Sequence, residues 1–350
     1  MRIVVKVGSN LLVGREGLNK EYIMELCREL ALLRKNGHEV AIITSGARAA
    51  GFALVGRGRP QDLYMKQALC AVGQVQLMKV YESAFEFYGM RVAQILLTRD
   101  TFSNRKRYLN LRNTLIGLSE LGVIPIVNEN DTVATEEITL GDNDMLASMF
   151  AIAWDADILI LFTTVDGVID KDGNLVKKYD PSVELKDLGK SSWGTGGIKS
   201  KIEGALMASK CGIRVTICNG RDVTNISRFV NGEEVGTIFE PIEKLKARKA
   251  WIAFLSEPSG KVYVNEGAEQ AIRSGKSLLP VGIVRIEGEF EEGDVVEIVG
   301  ESGKLVGRGV VNYSSEELKK IAGLQSKELT RVLGYEGSKV AIHIDNMWIA

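Results

Sequence analysis

Acids and amides crowd two short stretches of this chain, Asn128-Glu129-Asn130-Asp131 and Gly141-Asp142-Asn143-Asp144. A carboxylate only accepts hydrogen bonds, so Asp suits an ammonium. A carboxamide also donates, so Asn suits a carboxylate or an amide. Together they suit a small zwitterion, which points toward amino-acid chemistry. Asp142 or Asn143 is expected to cap the following helix. Capping needs one such residue, and the region offers several more.

Three other stretches could meet an anion. In Lys6-Val7-Gly8-Ser9 a lysine supplies a point charge, and a glycine lets the backbone approach a phosphate. The plain alternative is a lysine that merely reaches solvent from a strand end. Ser192-Trp193-Gly194-Thr195-Gly196-Gly197-Ile198-Lys199-Ser200-Lys201 is a glycine-rich loop running into a helix, whose N–H groups and dipole favour an anion. It lacks Walker spacing, and its alternative is a surface loop with solvated lysines. Thr44-Ser45-Gly46-Ala47-Arg48-Ala49-Ala50-Gly51 has small residues where a ligand could come close. A tight strand-to-helix turn explains it equally well.

The two histidines, His38 and His343, are far apart, which argues against a zinc site or a His-activated nucleophile. Cys27, Cys70, Cys211 and Cys218 form no C-x-x-C pair and read as reduced, buried fillers. Any catalysis should run on lysines, carboxylates and backbone amides. The net charge of −1 offers no electrostatic case for nucleic acid or membrane. Lys6 interrupts the first apolar run, so no secretory signal is expected, and no apolar stretch reaches membrane-spanning length. A cytoplasmic protein is the expectation.

These residues must be held by something. At 350 residues the chain suggests two domains. Residues 1–240 alternate strand-like and helix-like segments: strands at 3–7, 40–44, 91–97, 123–127, 157–162 and 213–218, helices at 20–35, 61–88, 104–120, 143–153 and 198–211. That order predicts an α/β fold, a largely parallel sheet sandwiched between helices. Ligands of such sheets bind at the carboxyl ends of strands. Lys6, Ser45, the Asn128–Asp131 stretch and Thr163-Thr164 all fall there. Residues 241–256 read as a linker or docking helix. Residues 257–350 have short strands and glycine-rich turns, which predict a small β-barrel with little helix.

In this order the motifs resemble those of the glutamate 5-kinases, a branch of the amino acid kinase family. The carriers are Val5-Lys6-Val7-Gly8-Ser9, Thr44–Gly51, Lys66-Gln67-Ala68 with Val72-Gly73-Gln74, Asn128–Val133, Gly141–Asp144 and Gly194–Gly197 with Lys201. Residues 257–350 resemble the PUA domain such kinases often carry, through Ser277-Leu278-Leu279-Pro280-Val281-Gly282 and Val311-Asn312-Tyr313. The resemblance implies transfer of a phosphoryl group from ATP to the γ-carboxylate of L-glutamate, with Mg²⁺ riding on the ATP phosphates. It implies catalytic roles for Lys6, Asp144 and Lys201, and glutamate binding by Ser45, Asp131 and Asn143. Lys6, Gly8, Thr163, Thr164, Thr195, Gly196, Gly197, Ile198, Lys199, Ser200 and Lys201 match nucleotide-binding positions. No side chain matches a metal ligand. A homo-oligomer (dimer or tetramer) and feedback by proline are further family expectations.

Three positions depart from the pattern: Thr164 stands where Asp is usual, Lys199 is an additional lysine, and Arg48 replaces a small apolar residue. Arg48 reads as a solvated side chain that could add a carboxylate contact. Another amino acid kinase, acting on aspartate or N-acetylglutamate, is the alternative. An RNA-binding protein using its PUA-like domain is disfavoured, because residues 258–350 hold 11 Lys and Arg against 14 Asp and Glu.

Overall fold

The computed structural model describes residues 1–14, 17–56, 62–133, 143–183, 197–242 and 244–350. They divide into two compact units, Met1–Phe102 with Lys106–Lys244, and Ser103–Arg105 with Leu245–Ala350.

In the first unit, β1 (Arg2–Lys6) leads into a single helical turn, α1 (Ser9–Leu12), and a minimal hairpin of β2 (Val13–Gly14) and β3 (Gly17–Leu18). Then follow α2 (Lys20–Lys35), β4 (Glu39–Ile43), α3 (Ala47–Val55), α4 (Leu63–Glu86), β5 (Val92–Leu97), α5 (Arg99–Ser103), α6 (Arg105–Glu120) and β6 (Ile124–Glu129). The rest is α7 (Asn143–Ala153), β7 (Ile158–Thr163), α8 (Ile198–Lys210), β8 (Arg214–Asn219), α9 (Asn225–Val230) and β9 (Thr237–Phe239). The seven-stranded sheet has the order β5-β6-β4-β1-β7-β8-β9 and is parallel except for β9, which runs antiparallel to β8 at the edge.

Local chemistry explains the elements. Asn19 caps α2 by accepting from the Tyr22 N–H, Arg34 and Lys35 lie in the last turn, and Ile23, Leu26, Leu30 and Leu33 form its buried face. β1 carries Ile3, Val4 and Val5 with no exposure, as a strand covered on both faces must. The helix α7 is buried almost all round, from Leu146 to Ala153.

The chain switches direction in the sheet around β1: β4, β6 and β5 lie to one side, β7 and β8 to the other. A crevice forms at such a reversal, at the carboxyl ends of the strands. Lys6 is level there with Ile43 of β4 and Leu161 of β7, and the Thr44 N–H donates to Val127 O at 2.8 Å. β6 runs two residues beyond the expected end, so Asn128 and Glu129 are buried strand residues and only Asn130 and Asp131 belong to the loop.

Two close approaches set the helices around this crevice. A Cβ on Gly51 would sit 1.9 Å from Leu69 O, and one on Gly73 would sit 1.7 Å from Ala47 O. Only glycine lets α3 and α4 pack backbone to backbone. Gly204 likewise brings α8 against α7, since a Cβ there would lie 2.6 Å from Ser148 Oγ.

The second unit begins with α10 (Ala247–Ala250), continued by a π-helical turn Trp251–Leu255 that packs on the strands β13 (Leu305–Val310) and β14 (Met347–Ile349). Arg308 Nη1 donates to Ala253 O at 3.0 Å. With β10 (Gly260–Val264), β11 (Ile283–Gly288) and β12 (Val295–Gly300), these strands form a sheet ordered β11-β10-β12-β13-β14. It holds more helix than the sequence reading expects: α11 (Glu266–Arg273), α12 (Ser315–Ile321) and α13 (Leu329–Leu333). α11 is eight residues long, buries only Ile272 and is capped by Asn265, which accepts from the Ala268 N–H. α12 does have a legible signal, the Ser314/Glu317 capping box.

Candidate active site

At the carboxyl end of β1 the Lys6 side chain turns inward and is 2 % exposed. Its Nζ lies 2.6 Å from Oδ1 of Asp144, a fully buried residue in the first turn of α7. The other oxygen of that carboxylate, Oδ2, receives Lys201 Nζ of α8 at 2.5 Å. One carboxylate therefore holds two ammonium groups, leaving the triad one positive charge in excess. A burial cost this high is sustained only where the charges are paired. The excess charge makes the spot a receiver for an anion. Gly8 borders it, since a Cβ there would be 3.6 Å from Lys6 Nζ.

Beside this triad lies a second group of side chains. Asn143, one residue before Asp144, points its Nδ2 at Thr44 O (2.5 Å), Asn128 Oδ1 (2.8 Å) and Ser45 Oγ (3.0 Å). Asn128 donates through Nδ2 to Gln74 Oε1 at 2.9 Å and accepts from the Glu129 N–H at 2.9 Å. Thr44 Oγ1 pairs with the buried Tyr81 hydroxyl at 2.9 Å. Ser45 is placed by the turn into α3, where Gly46 takes φ +92°, a conformation that favours glycine.

Asp131 is half-buried just past β6, with the Cys70 thiol of α4 and the Arg48 guanidinium of α3 bearing on it. Burial raises its carboxyl above the ordinary value, while the Cys70 hydrogen bond and Arg48 pull the other way. Burial, with Asp131 second, pushes the Cys70 thiol up to about 12, so it is protonated and able to donate.

The structure thus brings together Lys6, Asp144 and Lys201, and separately joins Ser45 to Asn143. Thr163 closes β7, opposite Asn219 of β8, with Thr164 next. A cavity of about 490 Å³ opens there, lined by Asp166, Asn219, Arg221, Asp222 and Gly236 among others. Gly197 precedes α8, and Ser200 Oγ donates to Gly197 O at 3.0 Å. Ile198 is half-buried in the first turn, and Lys199 is exposed while Lys201 faces Asp144. Gly141, Asp142, Thr195 and Gly196 lie outside the described residues. Reading single residues missed Gln74, Asn128 as a hub, and the contact of Cys70 with Asp131. The Val72-Gly73-Gln74 motif held a signal for the first, because Gly73 marks where two helix backbones meet.

The Asn143 carboxamide has a defined polarity. Its donors are engaged within the protein, so the carboxamide presents Oδ1, an acceptor. That suits an ammonium and not a carboxylate.

Among the described residues no group of three or more His, Cys, Asp or Glu could hold a metal ion. Both oxygens of Asp144 face lysines, so this buried carboxylate is not a ready Mg²⁺ ligand. No described helix is long and apolar enough to cross a membrane.

This chain is similar to known proteins over its length. Residues 1–219 match the model of the amino acid kinase family, and residues 260–333 match that of the PUA domain. The chain is 73 % identical to a glutamate 5-kinase of Thermotoga maritima, over 100 % of this chain and 99 % of that protein. It is 58 % identical to a glutamate 5-kinase of Kosmotoga olearia, over 99 % of this chain and 98 % of that protein. A Thermoanaerobacter glutamate 5-kinase is 42 % identical over 100 % of this chain and 98 % of its own length.

Proposed function

Because this chain belongs to the amino acid kinase family, we propose that it transfers the terminal phosphoryl group of ATP to the γ-carboxylate of L-glutamate, the step that opens proline synthesis. The observation that carries the proposal is the buried carboxylate of Asp144 held by Lys6 at 2.6 Å and Lys201 at 2.5 Å.

The chemistry suits such a site. A γ-carboxylate is ionised at pH 7 and needs no general base. The difficulty is to bring two anions together and to bear the charge that builds on the transferred group, which positioning and electrostatics accomplish. Lys6 and Lys201 meet the phosphoryl oxygens, and Asp144 orients both ammonium groups. Asp131 and Asn143 Oδ1 receive the α-ammonium of glutamate, with the Ser45 hydroxyl beside them. Asn143 Nδ2 has two hydrogens for three neighbouring acceptors, so Ser45 is the partner most easily released to substrate. Gly8, Thr163, Thr164 and residues 195–201 are the positions this reading assigns to the nucleotide. Mg²⁺ would be held by the ATP phosphates and by water rather than by these side chains, and would supply further neutralisation of the phosphate charge. A homo-oligomeric state and feedback by proline belong to the same reading.

ADP release measured across glutamate, aspartate and N-acetylglutamate tests the substrate. Turnover with glutamate at least a hundredfold above the others is expected. Turnover with aspartate or N-acetylglutamate in its place refutes the assignment.

A further inference from the structure

We propose that Gln74 is a positioning residue for the substrate's ammonium, acting through Asn128 to keep the carboxamide oxygen of Asn143 turned toward the substrate. The proposal rests on the reading that glutamate binds beside Asn143.

Two backbone groups fix the polarity of a row of three carboxamides. Thr44 O can only accept, so the atom of Asn143 that lies 2.5 Å from it is the NH₂ group. The Glu129 N–H can only donate, so the Asn128 atom 2.9 Å away is the oxygen. That same oxygen takes Asn143 Nδ2 at 2.8 Å. The opposite end of Asn128 is then an NH₂ group, and it requires an acceptor. Gln74 Oε1 supplies one at 2.9 Å, within a buried contact. Without it, Asn128 has an unmatched donor, and turning its amide over would set NH₂ against both Asn143 Nδ2 and the Glu129 N–H. The row Gln74–Asn128–Asn143 thus has one self-consistent orientation, in which Oδ1 is the end of the Asn143 carboxamide that Thr44, Ser45 and Asn128 do not engage.

Packing alone gives no reason for a glutamine here. Gln74 is 9 % exposed on α4, and its Nε2 is buried without an acceptor among the described residues. A buried donor in that state destabilises the fold relative to an apolar side chain of similar size. Local conflicts of this kind gather at functional sites.

The variant Gln74→Met keeps the volume and removes the acceptor. Its glutamate KM should rise about tenfold, with kcat and the ATP KM within about twofold. Glutarate shares both carboxylates of glutamate and lacks the ammonium. The ratio of kcat/KM for glutamate over glutarate should therefore fall about tenfold in Gln74→Met. Gln74→Glu keeps an acceptor toward Asn128 and should hold the ratio near wild type. A folded Gln74→Met with the wild-type ratio overturns the proposal. So does an equal loss for both substrates, which a merely structural role would give. If the wild type turns over neither substrate, the kinase reading itself fails. Side-chain amide NMR then decides the relay, with the Asn128 and Asn143 carboxamide protons exchanging faster with solvent in Gln74→Met than in wild type. Unchanged exchange overturns it.

Discussion

Replacing Lys201 by Met separates charge from shape at the Lys6–Asp144–Lys201 triad proposed to receive the phosphoryl group. The substitution keeps most of the side-chain volume and removes the ammonium 2.5 Å from Asp144 Oδ2. Asp144 keeps Lys6 at 2.6 Å, so the buried carboxylate stays compensated and the fold should survive. The local charge falls from one positive unit to none. An ammonium about 3 Å from a full negative charge gains about 5 kcal/mol at an effective dielectric of 20. Only part of a charge builds on the phosphoryl oxygens in the transition state, so about 3 kcal/mol of barrier is at stake, equal to a loss in kcat of about a hundredfold or somewhat more. Glutamate is held by other residues, so its KM should change by less than about threefold. Steady-state kinetics with glutamate and ATP varied in turn, beside a thermal melt, reads all of this. A variant with wild-type kcat, or one whose loss falls wholly on glutamate KM, refutes the reasoning.

Other perturbations follow from the same geometry. Asp144→Asn leaves two buried ammonium groups without a counter-charge and should lower stability by about 3–5 kcal/mol in a denaturant titration, in addition to abolishing activity. Burial raises the Asp131 carboxyl above its ordinary value of 3.8. Its ionised form therefore costs folding stability above the raised pKa, a cost that fades as pH falls through it. Glutamate binding runs oppositely, since the ammonium needs the carboxylate. Glutamate KM should climb as pH falls toward that pKa, and Asp131→Asn should give a high KM with no acid limb. Gly73→Ala forces a Cβ to within 1.7 Å of Ala47 O, so α3 and α4 must part. A loss of at least about 1–3 kcal/mol in stability is expected, together with a raised glutamate KM, because Ser45 and Gln74 lie on either side of that contact.

The fold was largely legible because its signals are local. Apolar runs of strand length alternate with amphipathic or buried helices, and the pair Asn36-Gly37, with Gly37 at φ +83°, marks the end of α2. The strand-end positions of Lys6 and Ser45 followed from the layout alone, whereas Asn128 lies inside a β6 longer than the layout predicts. What pairs across the sheet was less legible. Lys201 and Asp144 are 57 positions apart, and no spacing rule joins them. Gln74 hid because α4 has no clear polar face, so a polar side chain within it gives no hint of burial. Cys70 read as a filler for the same reason, and only the packing of α4 beside the end of β6 sets its thiol against Asp131. The orientation of the Asn143 amide depends on a backbone carbonyl contributed by β4's end, which no residue type reveals.

The central claim is that the phosphoryl group is delivered to the γ-carboxylate of glutamate. An acyl phosphate reacts with hydroxylamine, so the product can be trapped and its position read by mass spectrometry. With glutamate, MgATP and hydroxylamine, γ-glutamyl hydroxamate should form in step with ADP, and no α-hydroxamate should appear. ADP formation without hydroxamate, or hydroxamate derived from aspartate or N-acetylglutamate in preference to glutamate, contradicts the account.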